Sequence, residues 1–167
     1  MIYAGIGSRE TPQEILDIFI LIGKYLGEQG YILRSGGAGG ADSAFENGCD
    51  LVKGTKEIYL PWPNFNDNIS NLIVKDPKAF DIAKQFHGGW DNLKQGAKKL
   101  HARNSHQVLG LDLKTKCDFV ICYTPKTGGT NQALRIAKYY NIPIFNAYNY
   151  TDLDKFVNDI WMYIQQQ

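Results

Sequence analysis

The sequence predicts a Rossmann-like α/β fold, a three-layer sandwich around a mostly parallel central sheet. Three observations predict it. Short apolar runs alternate with helix-length amphipathic segments along the whole chain. The run Asp118–Tyr123 is nearly all apolar, as expected of a strand covered on both faces by helices. Glycines gather where strands pass into helices, at Gly5 and Gly7, at Gly36 to Gly40, and at Gly128 and Gly129.

The elements follow in order. Ile2–Ile6 is an apolar run ending in glycine and reads as the first strand. Thr11-Pro12-Gln13-Glu14 reads as a capping box, with threonine at the N-cap, proline at N1 and glutamate at N3. Ile15, Ile18, Phe19, Ile22 and Leu26 then share one helix face, and Gly30 ends that helix. Tyr31–Arg34 is a second strand, running into Ser35-Gly36-Gly37-Ala38-Gly39-Gly40-Ala41-Asp42. A helix is expected from about Gly40 to Cys49, and a third strand over Glu57–Leu60, ended by Pro61-Trp62-Pro63.

Residues 64–75 are polar and rich in asparagine, which predicts a loop or lid. The stretch 61–92 is accordingly read as a lid or insertion within one domain spanning 1–167. Asp76-Pro77 starts another helix, and a long helical stretch covers about Leu93–Leu109. After the strand Asp118–Tyr123 come the loop Thr124–Thr130, a helix to Tyr140, a strand at Pro143–Asn146 and a closing helix over Asp152–Ile164. Strands alternating with helices imply parallel pairing through right-handed crossovers. Gln165 to Gln167 read as a frayed tail.

Bulk properties narrow the function classes. A chain of 167 residues suits one domain, and 44% hydrophobic residues can bury a core. The formal net charge of +1 gives no bulk argument for nucleic acid, which leaves only a local basic patch as a route to it. Cys49, Cys117 and Cys122 are odd in number and form no C-x-x-C pair. They read as reduced, mostly buried thiols of a cytoplasmic protein, and no metal site is expected. Met1–Gly5 lacks the basic start of a signal peptide, and no apolar run nears the roughly 20 residues that span a bilayer. No membrane partner is expected.

The chemistry gathers at three strand ends: Gly5-Ile6-Gly7-Ser8-Arg9, Ser35 to Asp42, and Thr124 to Thr130. Ligands of open parallel sheets bind beyond the carboxyl ends of the strands, so these loops should converge. Glycines let backbone N–H groups approach an anion, and the following helix aims its positive end at the same place. Ser35, Gly36, Gly37, Ala38 and Gly40 form one such loop, and Thr127-Gly128-Gly129-Thr130 repeats the design after Thr124. Arg9 either pairs with a phosphate or is a solvated surface arginine. Asp42 either complements the helix dipole or accepts from ribose hydroxyls. Glu46, four residues on, shares its helix face; the pair is a candidate for acid/base work or an ordinary acidic face. Trp62 and Phe65 are candidates to stack on a base, although Trp62 between two prolines could equally fix the loop. The basic segment Lys94–Arg103 carries mostly solvated lysines, and Arg103-Asn104 with His101 stands out from it.

At Gly5-Ile6-Gly7-Ser8-Arg9, Ser35-Gly36-Gly37-Ala38 and Gly128-Gly129-Thr130, the chain resembles the SMF/DprA–LOG (SLOG) superfamily of Rossmann-like proteins. It looks closest to the small DprA-like proteins often encoded by bacteriophages, from Ile2 to about Ala147. The resemblance to LOG phosphoribohydrolases, which release a base from a nucleoside monophosphate, matches Arg103 in Leu100-His101-Ala102-Arg103-Asn104 to their catalytic arginine. Their Pro-Gly-Gly-x-Gly-Thr-x-x-Glu motif is altered and one residue shorter here, and Ala133 stands where the catalytic glutamate belongs. DprA relatives imply single-stranded DNA binding. Other superfamily members imply sensing of nucleotide-derived messengers.

The expectation is therefore a nucleotide ligand held at Gly5, Gly7, Ser8, Arg9, the Ser35–Asp42 loop, Arg103, Asn104, Thr124 and Thr127–Thr130, with no further cofactor required. An N-glycosidase using Arg103, Glu46 or Asp42 is the second reading and DNA binding the third. A homo-oligomer in a bacterial cytoplasm, from a phage or a host gene, is compatible with all three.

Overall fold

The computed structural model describes residues 1–167. In chain order the elements are β1 (Ile2–Gly7), α1 (Gln13–Glu28), β2 (Ile32–Ser35), α2 (Ala41–Leu51), β3 (Lys56–Leu60) and β4 (Leu72–Ile73). Then come α3 (Pro77–Gln85), α4 (Gln95–Leu109), β5 (Phe119–Tyr123), α5 (Thr130–Tyr139), β6 (Ile144–Asn146) and α6 (Leu153–Gln165). All six strands are parallel, in the order β4-β3-β2-β1-β5-β6. This is the Rossmann-like architecture the sequence predicts.

Alternation along the central strands divides the core. Tyr3, Phe119 and Ile121 face one layer, where Phe19 of α1, Phe45 of α2 and Phe156 of α6 pack. Ala4, Ile6, Val120 and Cys122 face the other, against Val108 of α4 and Leu134, Ile136 and Ala137 of α5. Both faces of β1 and β5 are thus covered, which is why those strands read as nearly continuous apolar runs. Cys49, Cys117 and Cys122 are buried and free. No helix is long and apolar enough to cross a membrane.

This division positions the site. The chain leaves β1 for α1 on one face of the sheet and leaves β5 for α5 on the other. Since β1 and β5 are neighbours, their loops part and open a crevice at the carboxyl ends of the strands.

Two local expectations are corrected. The capping box at Thr11 does not form: Pro12 is the N-cap of α1 and no side chain caps the helix. Thr11 is buried, and its hydroxyl donates to the Ser8 carbonyl at 2.6 Å. A buried hydroxyl needs a partner, and here a carbonyl of the preceding loop supplies it. The asparagine-rich stretch, read as a loop or lid, contains β4, which pairs with Tyr59 and Leu60 at the sheet edge. Two residues are too few to show an alternating pattern. Polar side chains fasten this segment: Ser70 Oγ donates to the Ile58 carbonyl and Asn68 Nδ2 donates to Glu46 Oε1.

Helix α4 breaks the usual amphipathic rule. Its residues Ala102–Leu109 are all buried, although Arg103, Asn104, Ser105, His106 and Gln107 are polar. Its C-terminal half is enclosed by α3, α5 and the sheet. Each polar side chain has a partner, as for Ser105 Oγ on the Ala79 carbonyl and His106 Nδ1 with the Gly110 carbonyl.

Helices α1 and α2 approach closely at Gly48, where an added Cβ would lie 2.1 Å from the Ile20 carbonyl oxygen. Gly48→Ala should therefore destabilise the fold by about 2 kcal/mol through overpacking. Gly88→Ala, with nothing within 4 Å of an added Cβ, should stay within about 0.5 kcal/mol. Urea unfolding of the two variants checks the contrast.

Candidate functional site

The crevice is a cavity of about 360 Å³ between the loops after β1 and β5 and one side of α4. Gly7, Ser8, Arg9 and Glu10 line it from the β1 end. A Cβ on Gly7 would lie 2.6 Å from the Tyr123 carbonyl oxygen and 2.7 Å from Ala41 Cβ. Only glycine lets β1 end wedged between β5 and α2.

Ala38 and Asp42 line the next wall. Asp42 is buried, and its two carboxylate oxygens accept the Gly7 and Ala38 N–H groups, each at 3.2 Å. Burial pushes its carboxyl up to about 6. The nearby Arg103 charge and the two N–H donors oppose that rise without cancelling it, and Glu46 adds slightly to it.

Arg103, Asn104, Gln107 and His101 come from α4, with Ala97 and Leu100 as an apolar strip beside them. Arg103 is buried; it donates through Nη1 to the Gly36 carbonyl and through Nε to Asn104 Oδ1 at 3.2 Å. Asn104 Nδ2 donates to Gln132 Oε1 at 3.0 Å and to the Gly129 carbonyl at 3.3 Å. Gln107 Nε2 donates to Asn104 Oδ1 at 3.1 Å. The network runs from the β2–α2 loop to the start of α5 and fixes both against α4. Burial, then the adjacent His87, lowers the His101 imidazole to about 4, so it is neutral at pH 7.

The fourth wall is Thr124, Thr127, Gly128, Gly129, Thr130 and Ala133. Asn131 and Gln132 N–H groups turn back to the Gly128 and Gly129 carbonyls and open α5. The N–H groups of Gly128 and Gly129 have no hydrogen-bond partner within the protein. Together with the helix dipole they give this corner a local positive potential. No group of three or more His, Cys, Asp or Glu side chains is placed to hold a metal ion.

Of the residues singled out in the sequence, the cavity brings together Gly7, Ser8, Arg9, Ala38, Asp42, Arg103, Asn104, Thr124, Thr127, Gly128, Gly129 and Thr130. The remaining loop residues shape it from behind. Gly5 packs on Phe45, Ser35 Oγ donates to the Gly5 carbonyl at 2.6 Å, and the Gly36 carbonyl receives Arg103. Gly37 fits against Leu60, and Gly40 takes φ +76° with Ser8 and Arg9 backbone against it. Glu46 does not line the cavity; it pairs with Lys56 at 2.8 Å in a separate surface pocket. Sharing a helix face with Asp42 therefore does not make the two a catalytic pair in space. Trp62 is exposed and stands edge-on to Phe65. Phe65 is buried, with the Arg9 and Arg103 guanidinium groups over its ring, so the ring is not open to a base.

Sequence reasoning missed Glu10 and Gln107 as wall residues. Gln107 stands one helical turn after Arg103, and that spacing was the available signal. Ala133, where the LOG resemblance expects glutamate, does line the cavity.

No family model and no curated protein matches the chain in sequence. Solved structures share its fold. The molybdenum cofactor carrier protein of Chlamydomonas reinhardtii is 16% identical over 95% of this chain and 84% of its own, with a TM-score of 0.55. DNA processing protein A of Helicobacter pylori, described for its single-stranded DNA binding, is 18% identical over 100% of this chain and 74% of its own, with a TM-score of 0.57. The likeness is one of fold.

Asp42 carries a testable consequence. Its folded-state value near 6 lies above the ordinary 3.8, so the fold prefers the protonated acid. This contribution to stability is fully present below pH 3.8 and is lost as pH rises through 6. Asp42→Asn should flatten the decline of stability between pH 4 and 7, whatever its effect on absolute stability. Denaturant unfolding across that range reads the slope, and an unchanged slope would show that Asp42 titrates normally.

Proposed function

We propose that the chain is a SLOG-type domain that binds a phosphate-bearing nucleotide or nucleotide-derived small molecule in the cavity between β1 and β5. One observation carries the reading: at the start of α5 the unpartnered Gly128 and Gly129 N–H groups share the cavity with the Arg9 and Arg103 side chains. Backbone N–H groups at a helix N-terminus with guanidinium groups nearby form a phosphate site. The rest of the cavity suits the remainder of such a ligand. Ala97, Leu100 and Ala133 offer apolar contact, and the neutral His101 offers a ring for hydrogen bonding or stacking. That one protein of this fold carries a small cofactor fits a cavity of this kind.

Hydrolysis of an N-glycosidic bond is the second reading, and Asp42 favours it. Asp42 is a cavity-wall carboxylate raised toward neutrality beside Arg103, a state suited to proton transfer. Against it, both Asp42 oxygens already accept backbone N–H groups, and Ala133 can neither move a proton nor stabilise a cationic sugar. The DNA reading draws on the fold shared with the Helicobacter protein and on the lysines of α4.

Calorimetric titration with adenosine monophosphate and with adenosine separates the readings. The nucleotide should bind and the nucleoside should bind at least tenfold more weakly, roughly the worth of one charge-assisted contact set. Arg9→Ala should weaken nucleotide binding about tenfold with little change in stability, because Arg9 is exposed. Equal affinity for the two ligands would contradict the phosphate reading. Release of free adenine during the titration, lost in Asp42→Asn, would establish the hydrolase instead.

A further inference from the structure

We infer that Phe65 is a positioning residue: its ring holds the guanidinium groups of Arg9 and Arg103, which both line the cavity, as a pair. The inference deepens the phosphate-binding reading and rests on it for the ligand, though not for the arginine geometry.

Three observations converge on this residue. Both guanidinium carbons lie over the Phe65 ring at 5.8 Å from its centroid. The negative face of an aromatic ring attracts each cation, so one ring gathers two like charges that would otherwise repel. Arg103 is also fixed by its hydrogen bonds to Gly36 and Asn104. Arg9 is different. It is exposed, and its guanidinium makes no hydrogen bond or ion pair with the protein, so the ring is what it rests on.

The backbone around Phe65 is strained in its support. Asn64, Asn66 and Asp67 have φ of +60°, +52° and +57°, a left-handed conformation that costs non-glycine residues energy. Asparagine and aspartate bear that cost best, which explains their density in this stretch. The turn drives one aromatic side chain inward, and Phe65 is only 7% exposed while both flanking residues are exposed. Asn66 Nδ2 donates to the Gly37 carbonyl at 3.1 Å and ties the turn to the loop after β2. The stretch read from sequence as a loop or lid is in this respect a fixed platform for cations.

A flexible arginine loses side-chain freedom when it grips an anion. One held beforehand on a ring has already lost it, so the ligand binds more tightly. Phe65 thereby sets the affinity for a ligand whose negative charge spans both guanidinium groups, such as a doubly ionised phosphate or a pyrophosphate.

The test has two arms. In ligand-free protein, the Arg9 side-chain proton resonances should be displaced by the ring current of Phe65. Phe65→Leu and the bulkier Phe65→Met should return them to ordinary positions, while Phe65→Tyr retains the displacement. In the second arm, pyrophosphate affinity is measured by calorimetry. Phe65→Leu should weaken it about fivefold, and Phe65→Tyr should stay within about twofold of the unaltered protein. In an Arg9→Ala background the Phe65→Leu change should have clearly less effect. Arg9→Lys, which leaves the core intact, should match Phe65→Leu because a lysine lacks the planar face. Unchanged Arg9 resonances in both Phe65→Leu and Phe65→Met would overturn the inference. So would a loss of affinity that is the same with and without Arg9. If pyrophosphate fails to bind the unaltered protein, the phosphate reading fails, and the resonances alone decide what Phe65 does.

Discussion

The structure depends on a buried guanidinium. Arg103 sits in the buried C-terminal half of α4, on the side that walls the cavity. A charge taken out of water costs several kcal/mol unless its donors are satisfied and opposite charge is near. The Gly36 carbonyl, Asn104 and the neighbouring Asp42 supply these conditions. Each partner belongs to a different constraint. Gly36 fixes the loop after β2, Asn104 carries the network to Gln132 and Gly129 at the start of α5, and Gln132 Nε2 passes it to the Ala83 carbonyl of α3. Satisfying one cation thus sets the distance between the two loops that wall the cavity. It also explains why α4 keeps Arg103, Asn104 and Gln107 where its packing would otherwise call for leucines.

The same network gives two similar glycine loops opposite roles. Both stand at strand-to-helix junctions and both offer backbone N–H groups. In the loop after β2, the protein fills the anion position itself: Asp42 reaches back and takes the Ala38 N–H, and the Gly7 N–H with it. In the loop after β5 nothing comparable happens: Ala133 and Thr130 cannot reach back with a charge, and no side chain accepts the Gly128 or Gly129 N–H. The Gly128 and Gly129 N–H groups of the site therefore stay unpartnered at the start of α5. Burial raises the pKa of the Asp42 carboxylate, and the two N–H groups it accepts offset that rise only in part.

Much of this was legible in the sequence. Apolar runs, the periodicity of α1 and the Asp-Pro start of α3 are local signals, and they placed five strands and all six helices within a few residues. The switch point between β1 and β5 follows from the general behaviour of parallel sheets once the glycine loops are recognised. What was hidden is tertiary. Edge strand β4 has only two residues and owes its pairing to β3. Thr11 makes a better contact across its loop than at the cap its position suggests. Asp42 and Glu46 look equivalent on a helical wheel, yet one is enclosed by loop backbone and the other by Lys56 and Asn68. Phe65 looked like a base-stacking residue because sequence shows an aromatic in a loop and cannot show the two arginines above it.

The central claim is that the bound anion sits on the α5 terminus because Asp42 already occupies the other cradle. Amide resonances report this residue by residue during a titration with adenosine monophosphate. The account predicts the largest downfield displacements at Gly128, Gly129 and Thr130, with Gly7 and Ala38 nearly still. Displacements concentrated at Gly7, Gly36 and Ala38 would mean that the ligand expels Asp42 from its donors, and would contradict it.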